Sequence, residues 1–252
     1  MLKRRPFARF DSAALASAKT AAALAIAATA LAIAAAALSG CERKKEAQEP
    51  LPPAPQAEIR APAFTPPPST APLIVTLGDS LTAGFGLPVE HSYPAVLQER
   101  LRAEGYAHQV VNAGVSGDTT AGGLARLSWQ LSRPVEVIVV ALGANDGLRG
   151  LDTEEMRKNL AEIIEISQDA GAKVVLAGVP LPFNYGRDFS RRFQRVYKDL
   201  ATRFDVALIP SLLEGVAGRR DLNLADGIHP NEEGARIVAD NVWRALKPLL
   251  AK

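Results

Sequence analysis

The chain has little of several residue types on which the chemistry of proteins often depends. Of its 252 residues, one is cysteine, three are histidine and 6% are aromatic. A single cysteine excludes an internal disulfide and any metal site that needs several cysteines. The histidines, at positions 91, 108 and 229, lack the helical pair spacing that is typical of a zinc site. Metal catalysis is therefore not expected, and acid–base chemistry has to depend on a lone histidine or on carboxylates.

An excess of charge of one sign is also missing. The 29 basic residues nearly balance the 27 acidic ones, which leaves a net charge of +2. Such a chain has no broad basic surface for nucleic acid, and we predict no nucleic-acid partner. A length of 252 residues suits one sizeable domain with appendages, and a core of that size folds without disulfides or metals.

One long uncharged run lies near the N-terminus. Residues 1–19 are rich in lysine and arginine, and residues 20–38 carry no charge. A basic region followed by an apolar run is typical of an export signal. Because the run is close to the roughly 20 residues that span a bilayer, an uncleaved membrane anchor is the alternative interpretation. The run ends in Leu38-Ser39-Gly40-Cys41, which resembles the bacterial lipobox, so we predict residues 1–40 as a lipoprotein-type export signal.

The resemblance to the lipobox implies that Cys41 is lipidated, becomes the mature N-terminus and attaches the protein to a membrane of the cell envelope. Residue 42 is glutamate rather than aspartate, so the usual signal for inner-membrane retention is absent and we favour the outer membrane. Residues 41–71 are charged and then rich in proline, which predicts a disordered, semi-rigid polyproline II linker. At about 3 Å per residue, such a linker holds the following domain tens of ångströms from the membrane.

From residue 72 to residue 252, short β-branched runs alternate with longer helical segments. Five nearly uniformly apolar runs are predicted as strands, at 73–77, 109–113, 135–142, 173–179 and 206–209. Their composition suits a parallel sheet that is buried on both faces. Helices are predicted between and after them, at about 92–104, 119–132, 153–170, 188–204 and 231–246. This alternation predicts an α/β fold, a three-layer α/β/α sandwich with a five-stranded, mainly parallel sheet.

Ligands of such sheets bind at the carboxyl ends of the strands, and polar motifs follow the predicted strands there. The first motif is Gly78-Asp79-Ser80-Leu81. A serine at this place lies near the start of a helix, whose free amides favour developing negative charge. The same residue types also make turns and helix caps, so a turn without chemistry is the alternative. The G-x-S-x-G pentapeptide of the α/β-hydrolases does not occur in the chain.

Candidate amide donors follow the next two strands. Gly143-Ala144-Asn145-Asp146 comes after the third strand, where Asn145 can direct a side-chain amide toward an oxyanion. The segment 112–118, which includes Gly117, ends the second strand, and its glycines can expose backbone N–H groups. Simple turns explain both segments equally well.

A candidate acid–base pair lies near the C-terminus, in Asp226-Gly227-Ile228-His229-Pro230. A carboxylate three residues before an imidazole in a loop can fix the imidazole tautomer and stabilise its protonated form. A turn followed by an unrelated histidine is the alternative. We assign no role to His91 or His108. Together, the serine, the amide donors and the acid–base pair supply every part of a hydrolytic site.

Four blocks with these residues occur in order: GDSLTAGFG around Ser80, NAGVSGDTTAGGLARL around Gly117, ALGANDGLRG around Asn145, and DGIHPN around His229. With them, the chain resembles the SGNH (GDSL) hydrolases over nearly all of residues 72–250. The longer phrases, SGDTTAGGLARL and GANDGLRG, are similar to those of the bacterial periplasmic branch, which includes arylesterases, acyl-CoA thioesterases and lysophospholipases.

The resemblance implies a serine ester hydrolase that needs no cofactor and acts on a small-molecule acyl ester or thioester. It implies that Ser80 is the nucleophile and that His229 is the base, with Asp226 behind it. The implied oxyanion donors are the backbone N–H groups of Ser80 and Gly117 and the side chain of Asn145.

Two other functions fit parts of the sequence. The first is a carbohydrate O-acetyl esterase that acts on cell-envelope glycans, which differs in accepting acetyl but not longer acyl esters. The second is a tethered, non-catalytic lipoprotein that binds the envelope, against which the four intact blocks argue. Acyl-chain preference depends on loops such as residues 181–187, which are interpreted either as a mobile substrate flap or as an ordinary connection between a strand and a helix.

Overall fold

The computed structural model describes residues 71–179, 181 and 186–251. The predicted export signal, Cys41, nearly all of the linker and most of loop 181–187 lie outside the described residues. The domain boundaries at residues 40 and 71 therefore stay predictions.

A five-stranded parallel sheet forms the middle of the fold, which confirms the predicted architecture. Its strands are β1 (Leu73–Gly78), β2 (Gln109–Gly114), β3 (Val135–Ala141), β4 (Lys173–Ala177) and β5 (Ala207–Ile209). The strand order is β2-β1-β3-β4-β5, and every pairing in this sheet is parallel. The strand order reverses between β1 and β3, because β2 lies on one side of β1 and the later strands follow on the other. A crevice lies at the carboxyl ends of β1 and β3 in a sheet of this order.

Eight α-helices connect or follow the strands in the described part of the chain. They are α1 (Ser80–Ala83), α2 (Tyr93–Ala103), α3 (Thr120–Ala125), α4 (Leu127–Gln130), α5 (Ala144–Leu148), α6 (Thr153–Asp169), α7 (Arg187–Phe204) and α8 (Glu232–Leu246). Short 3-10 helices lie at Val89–His91, Arg220–Leu222 and Lys247–Leu249. No helix among these residues is long and apolar enough to cross a membrane.

Two apolar clusters cover the two faces of the sheet. Successive strand residues point to opposite faces, so Val137 and Val139 pack toward α2 and α8, while Ile138 and Val140 pack toward α6 and α7. All four of these side chains are completely buried. Each such burial contributes about 1.5–3 kcal/mol relative to an exposed side chain. The uniformly apolar strands of the sequence thus produce three layers.

One predicted helix differs from the structure. The segment predicted as a single helix at 119–132 forms two short helices, α3 and α4, which meet at Arg126. Arg126 leaves helical geometry, with φ −108° and ψ 4°, and its guanidinium group bonds to the ends of two strands. Gly122 and Gly123 also weaken the first half as a helix, since glycine is a poor helix former.

Candidate active site

Ser80 lies at the carboxyl end of β1, where it begins the short helix α1. The helix starts here because Asp79 caps it: Oδ1 of Asp79 accepts a 3.0 Å hydrogen bond from the N–H of Leu81. The N–H groups in the first turn of a helix have no acceptor within the helix. The N–H of Ser80 is one of these, so the serine presents both a hydroxyl and an amide donor at the crevice.

The imidazole of His229 lies between the hydroxyl of Ser80 and the carboxylate of Asp226. Nε2 of His229 is 2.9 Å from Oγ of Ser80, and Nδ1 is 2.7 Å from Oδ2 of Asp226. Because the carboxylate only accepts, the proton of the neutral ring belongs on Nδ1, and Nε2 is left to accept from the hydroxyl. The structure thus brings together Ser80 from the first motif and the Asp226–His229 pair from the last.

The two ends of the loop that carries Asp226 and His229 are hydrogen-bonded to each other. The N–H of Leu224 donates to the carbonyl of His229 at 2.7 Å, and Asn223 forms an isolated antiparallel bridge with Pro230. Asn223 is buried, and its side-chain amide donates to the carbonyls of Val216 and Arg219. The loop is therefore fixed from inside the domain, which holds the imidazole in place.

The carboxylate of Asp226 is charged throughout the neutral range. The backbone N–H of Ile228 donates to it at 2.9 Å, as does the N–H of His229 at 3.0 Å, and its other oxygen bonds to the imidazole. The Ile228 amide, followed by the His229 contacts, lowers the pKa of Asp226 to about 2. An ionised carboxylate at Nδ1 stabilises a positive charge on the ring.

Asn145 reaches the crevice from the first turn of α5, which follows β3. Its Nδ2 donates to the carbonyl of Asp118 at 2.9 Å and lies 3.3 Å from Oδ2 of Asp79. The turn before α5 requires glycine at position 143, where φ is +112° and an added Cβ would lie 2.2 Å from the hydroxyl of Tyr197. One N–H of the amide is thus firmly held, while the other makes a longer contact that an incoming oxygen can replace.

Gly117 lies in the loop after β2, exposed to solvent. Its φ of +84° is a left-handed conformation that favours glycine. No acceptor for its N–H is found among the described residues. Its carbonyl accepts a 2.8 Å hydrogen bond from Arg149, on the opposite side of the crevice. Because the carbonyl of Asp118, the residue after Gly117, accepts from Nδ2 of Asn145, the two sequence-predicted donor segments are in contact.

A buried carboxylate fixes two of the site loops to each other. Asp146 accepts from the backbone N–H of Thr120 at 2.9 Å and from its hydroxyl at 2.6 Å. The hydroxyl of Thr120 in turn accepts from the amide of Asn159 on α6. Asp146 is the neighbour of Asn145 in the sequence, so this network also restrains the backbone that carries the Asn145 amide.

Three residues around the site were missed in the sequence. Asp79 is 1% exposed, and burial raises its pKa to about 6, although the N–H of Leu81 and the charge of His229 lower it. The ring of Phe85 stacks on the imidazole of His229 at a centroid distance of 4.5 Å. Arg126 binds the strand ends beside the crevice. An aromatic residue inside the first block was the signal available for Phe85; the other two depend on tertiary contacts.

An apolar pocket opens beside Ser80 and His229. Phe85 is half exposed at its mouth. The apolar lining of the pocket includes Leu81, Phe85, Leu87, Tyr93, Leu213 and Val238. The pocket is thus suited to an apolar part of a ligand that lies against the imidazole.

The other two histidines pair with carboxylates outside the triad. His91 contacts Glu232 at 2.8 Å on the surface. His108 is buried and bonds to Glu136 at 3.0 Å, at the amino ends of β2 and β3. Among the described residues, no group of three or more histidine, cysteine, aspartate or glutamate side chains is placed to hold a metal ion.

A hydroxyl, an imidazole and a carboxylate in hydrogen-bonded sequence, with amide donors on neighbouring strand ends, define a serine hydrolase. The family follows from comparison: the chain belongs to the GDSL-like lipase/acylhydrolase family, whose model matches residues 76–237. The resemblance drawn from the four motif blocks is therefore confirmed, and the chain is a carboxylic ester hydrolase.

Similar proteins support the same assignment. Esterase TesA of Pseudomonas aeruginosa is 45% identical over 184 residues, which cover 72% of this chain and 91% of that protein. Thioesterase 1/protease 1/lysophospholipase L1 of Escherichia coli strain K12 is 37% identical over 183 residues, which cover 72% of this chain and 86% of that protein. The psychrotrophic esterase EstA from Pseudoalteromonas sp., solved with monoethylphosphonate as inhibitor, has a TM-score of 0.67 and 32% identity, covering 70% of this chain and 97% of that one.

Proposed function

We propose that the chain hydrolyses carboxylic esters and thioesters of acyl chains through an acyl-enzyme on Ser80. The observation that carries this proposal is the pair of hydrogen bonds at His229, 2.9 Å to Oγ of Ser80 and 2.7 Å to Asp226. These distances match what proton transfer from a nucleophilic hydroxyl requires. The carboxyl end of β1 is also where ligands bind in sheets of this order.

Acylation begins when Oγ of Ser80 attacks the carbonyl carbon and Nε2 of His229 takes the hydroxyl proton. The carbonyl oxygen becomes an oxyanion, which accepts from the N–H groups of Ser80 and Gly117 and from Nδ2 of Asn145. The imidazolium then gives its proton to the departing alcohol or thiol, and the acyl group stays on Oγ. Water repeats the cycle, with His229 again as base, and releases the acid.

Asp226 acts through the imidazole in this mechanism. Its low pKa keeps it ionised, so it stabilises the imidazolium in each of the two half-reactions and fixes the ring with Nε2 toward Ser80. It stays a carboxylate throughout, because the proton is held on His229 between the two transfers.

Two observations support acyl esters and thioesters as the substrate class. The pocket beside Ser80 and His229 has an apolar lining, which suits contact with an apolar group of the acyl chain or of the leaving group. The similar proteins are named an esterase and a thioesterase/lysophospholipase. Turnover of acyl esters longer than acetyl separates this proposal from a carbohydrate O-acetyl esterase.

The proposed place of action is the cell envelope, with the domain anchored through lipid on Cys41. The support is the sequence Leu38-Ser39-Gly40-Cys41 after an uncharged run, with the proline-rich segment following it. Glu42 in place of aspartate favours the outer membrane. Stable anchoring needs more than one acyl chain on the cysteine, since a single chain binds membranes only marginally.

The substrate class is tested by an acyl-length series of p-nitrophenyl esters and acyl-CoAs, with Ser80→Ala as the blank. We expect hydrolysis of esters and thioesters with chains longer than acetyl, and no hydrolysis above background by the blank. Turnover of acetyl esters alone, or equal rates for wild type and Ser80→Ala, would contradict the proposal.

A further inference from the structure

One guanidinium group joins the pieces of chain that present the proposed oxyanion donors. Arg126 donates from Nη2 to the carbonyl of Gly78 at 2.9 Å and from Nη1 to the carbonyl of Ala113 at 2.7 Å. Its Nε donates to Oδ2 of Asp118 at 2.6 Å. Three different segments, 48, 13 and 8 residues away in the sequence, are thus bound by one side chain.

Each of these bonds ends beside one proposed donor. Gly78 is the last residue of β1, two positions before the N–H of Ser80. Ala113 is the second-last residue of β2, four positions before Gly117. Asp118 follows Gly117 directly, and its carbonyl holds Nδ2 of Asn145 at 2.9 Å. Each of the three donors is therefore connected to Arg126 through a few residues or hydrogen bonds.

The environment of Arg126 makes these contacts strong. The side chains of Arg126 and Asp118 are 21% and 17% exposed, so solvent screens their ion pair only in part. Hydrogen bonds from a charged group are shorter and stronger than those between neutral groups. Only arginine presents several donors in a rigid plane, whereas lysine offers one compact charge.

The local backbone also fits this role. Arg126 sits at the break between α3 and α4, with φ −108° and ψ 4°. An unbroken helix at 119–132 would have satisfied more backbone groups within itself. The chain instead interrupts the helix at Arg126, whose side chain reaches the ends of β1 and β2.

We propose that Arg126 is a positioning residue for the reaction, which sets the three oxyanion donors at their mutual distances. The inference rests on the proposed function of Ser80, Gly117 and Asn145. Arg126 touches no reacting atom; it acts through Gly78, Ala113 and Asp118. Because displacements of about 1 Å in an active site can cost 100-fold in rate, its loss should affect the chemical step.

The test compares Arg126→Ala and Arg126→Lys with Arg203→Ala in the folded protein. Arg203 is a matched control, because it also pairs with a carboxylate, Glu165, but on the exposed surface of α7. We expect kcat to fall about 10- to 100-fold in both Arg126 variants, with KM changed less than threefold, and to stay within twofold of wild type in Arg203→Ala. Methylguanidinium at millimolar concentration should restore at least part of kcat in Arg126→Ala, while methylammonium should not.

If Arg126→Ala does not fold, Asp118→Asn decides the question, since it removes the ion pair without changing the shape of the side chain. We expect a five- to tenfold loss of kcat there with a nearly unchanged thermal melt. A kcat within twofold of wild type, or a loss that only tracks unfolding and is not rescued, would overturn the role of Arg126.

A phosphonate ester separates this failure from failure of the proposed function. Wild-type protein that does not react at Ser80 would refute the acyl-enzyme mechanism, and the inference with it. Wild type that reacts at Ser80 at the same rate as Arg126→Ala would leave the mechanism intact and refute only the positioning role.

Discussion

The carboxylate of Asp79 and the side-chain amide of Asn145 face each other inside the active site. Oδ2 of Asp79 is 3.3 Å from Nδ2 of Asn145, and Asp79 is 1% exposed. Burial raises the pKa of Asp79 from 3.8 to about 6. The site therefore holds an ionised carboxylate at neutral pH in a place that disfavours its charge, next to a proposed oxyanion donor.

The variant Asp79→Asn, which replaces this carboxylate by an amide, should be more stable than wild type at alkaline pH but less active. Because the pKa of Asp79 is higher in the folded state, its cost to folding is absent below about pH 3.8, grows with pH and is complete above about pH 6. Asp79→Asn should raise the free energy of unfolding at pH 8 by about 1–3 kcal/mol, with little change at pH 4. It should lower kcat, since an amide no longer offers Asn145 a charged acceptor.

Urea unfolding of both proteins at pH 4 and pH 8, beside steady-state kinetics, measures the two effects. Asparagine caps helices as well as aspartate does, so the start of α1 should be unaffected. Equal destabilisation at both pH values would show that the carboxylate stabilises the fold rather than opposing it.

Asn145→Ala should lower kcat by roughly 10²–10³, on the order of 3–4 kcal/mol, with far less change in KM. The reason is that the amide matters most when charge has moved onto the carbonyl oxygen. Asn145→Asp should be at least as damaging, because a carboxylate repels the oxyanion. Kinetics beside a thermal melt measure both quantities.

Asn112→Ala is the control, since Asn112 is an exposed asparagine of β2 whose side chain accepts from the N–H of Gly114. Its kcat should stay near wild type. An Asn145→Ala protein with unchanged kcat, or one whose loss simply follows unfolding, would remove Asn145 from the site.

Asp226→Asn should lower kcat by roughly 10²–10⁴, because a neutral amide neither stabilises the imidazolium nor fixes the tautomer. Asp221→Asn serves as the control: it is an exposed carboxylate in the same region, bonded to Arg219.

His91→Ala and His108→Ala should retain catalysis per folded molecule. Loss of turnover in either histidine variant while the protein stays folded would refute His229 as the base.

Cys41→Ala should abolish metabolic labelling with palmitate, because Cys41 is the single cysteine of the chain and the residue that the lipobox-like sequence precedes. Ser39→Ala should keep the label, since a small residue is preserved there. Mass spectrometry of the mature N-terminus provides the second measurement. A mature protein that begins elsewhere, with Cys41 missing or unmodified, would refute the lipid anchor.

The sheet could be predicted from the sequence because each strand is marked by the residues within the strand itself. Each run of β-branched residues forms a strand whose ends lie within one residue of the predicted ends, except for the fourth, which stops two residues early, at Ala177 instead of residue 179. There the N–H of Gly178 turns to the carbonyl of Ile209. The proposed site residues were found for a related reason: each follows a strand, and parallel strands bring their carboxyl ends to one edge.

Contacts between segments that are distant in the sequence could not be predicted from such local patterns. Ser80 and His229 are 149 residues apart, and only the fold shows that their side chains meet at 2.9 Å. The break of the predicted helix at Arg126 depends on the carbonyl of Gly78, 48 residues earlier. The raised pKa of Asp79 likewise depends on burial that its neighbours in sequence do not indicate.

The central claim is that Ser80 forms the covalent intermediate, and a phosphonate ester tests it most directly. The measurement is the site of the adduct, mapped by mass spectrometry in wild type, Ser80→Ala and Ser116→Ala, where Ser116 is an exposed serine beside Gly117. We expect one adduct on Ser80 in wild type and in Ser116→Ala, formed in step with the loss of activity, and none in Ser80→Ala. An adduct on any other residue, or inactivation of wild type without an adduct on Ser80, would contradict the account.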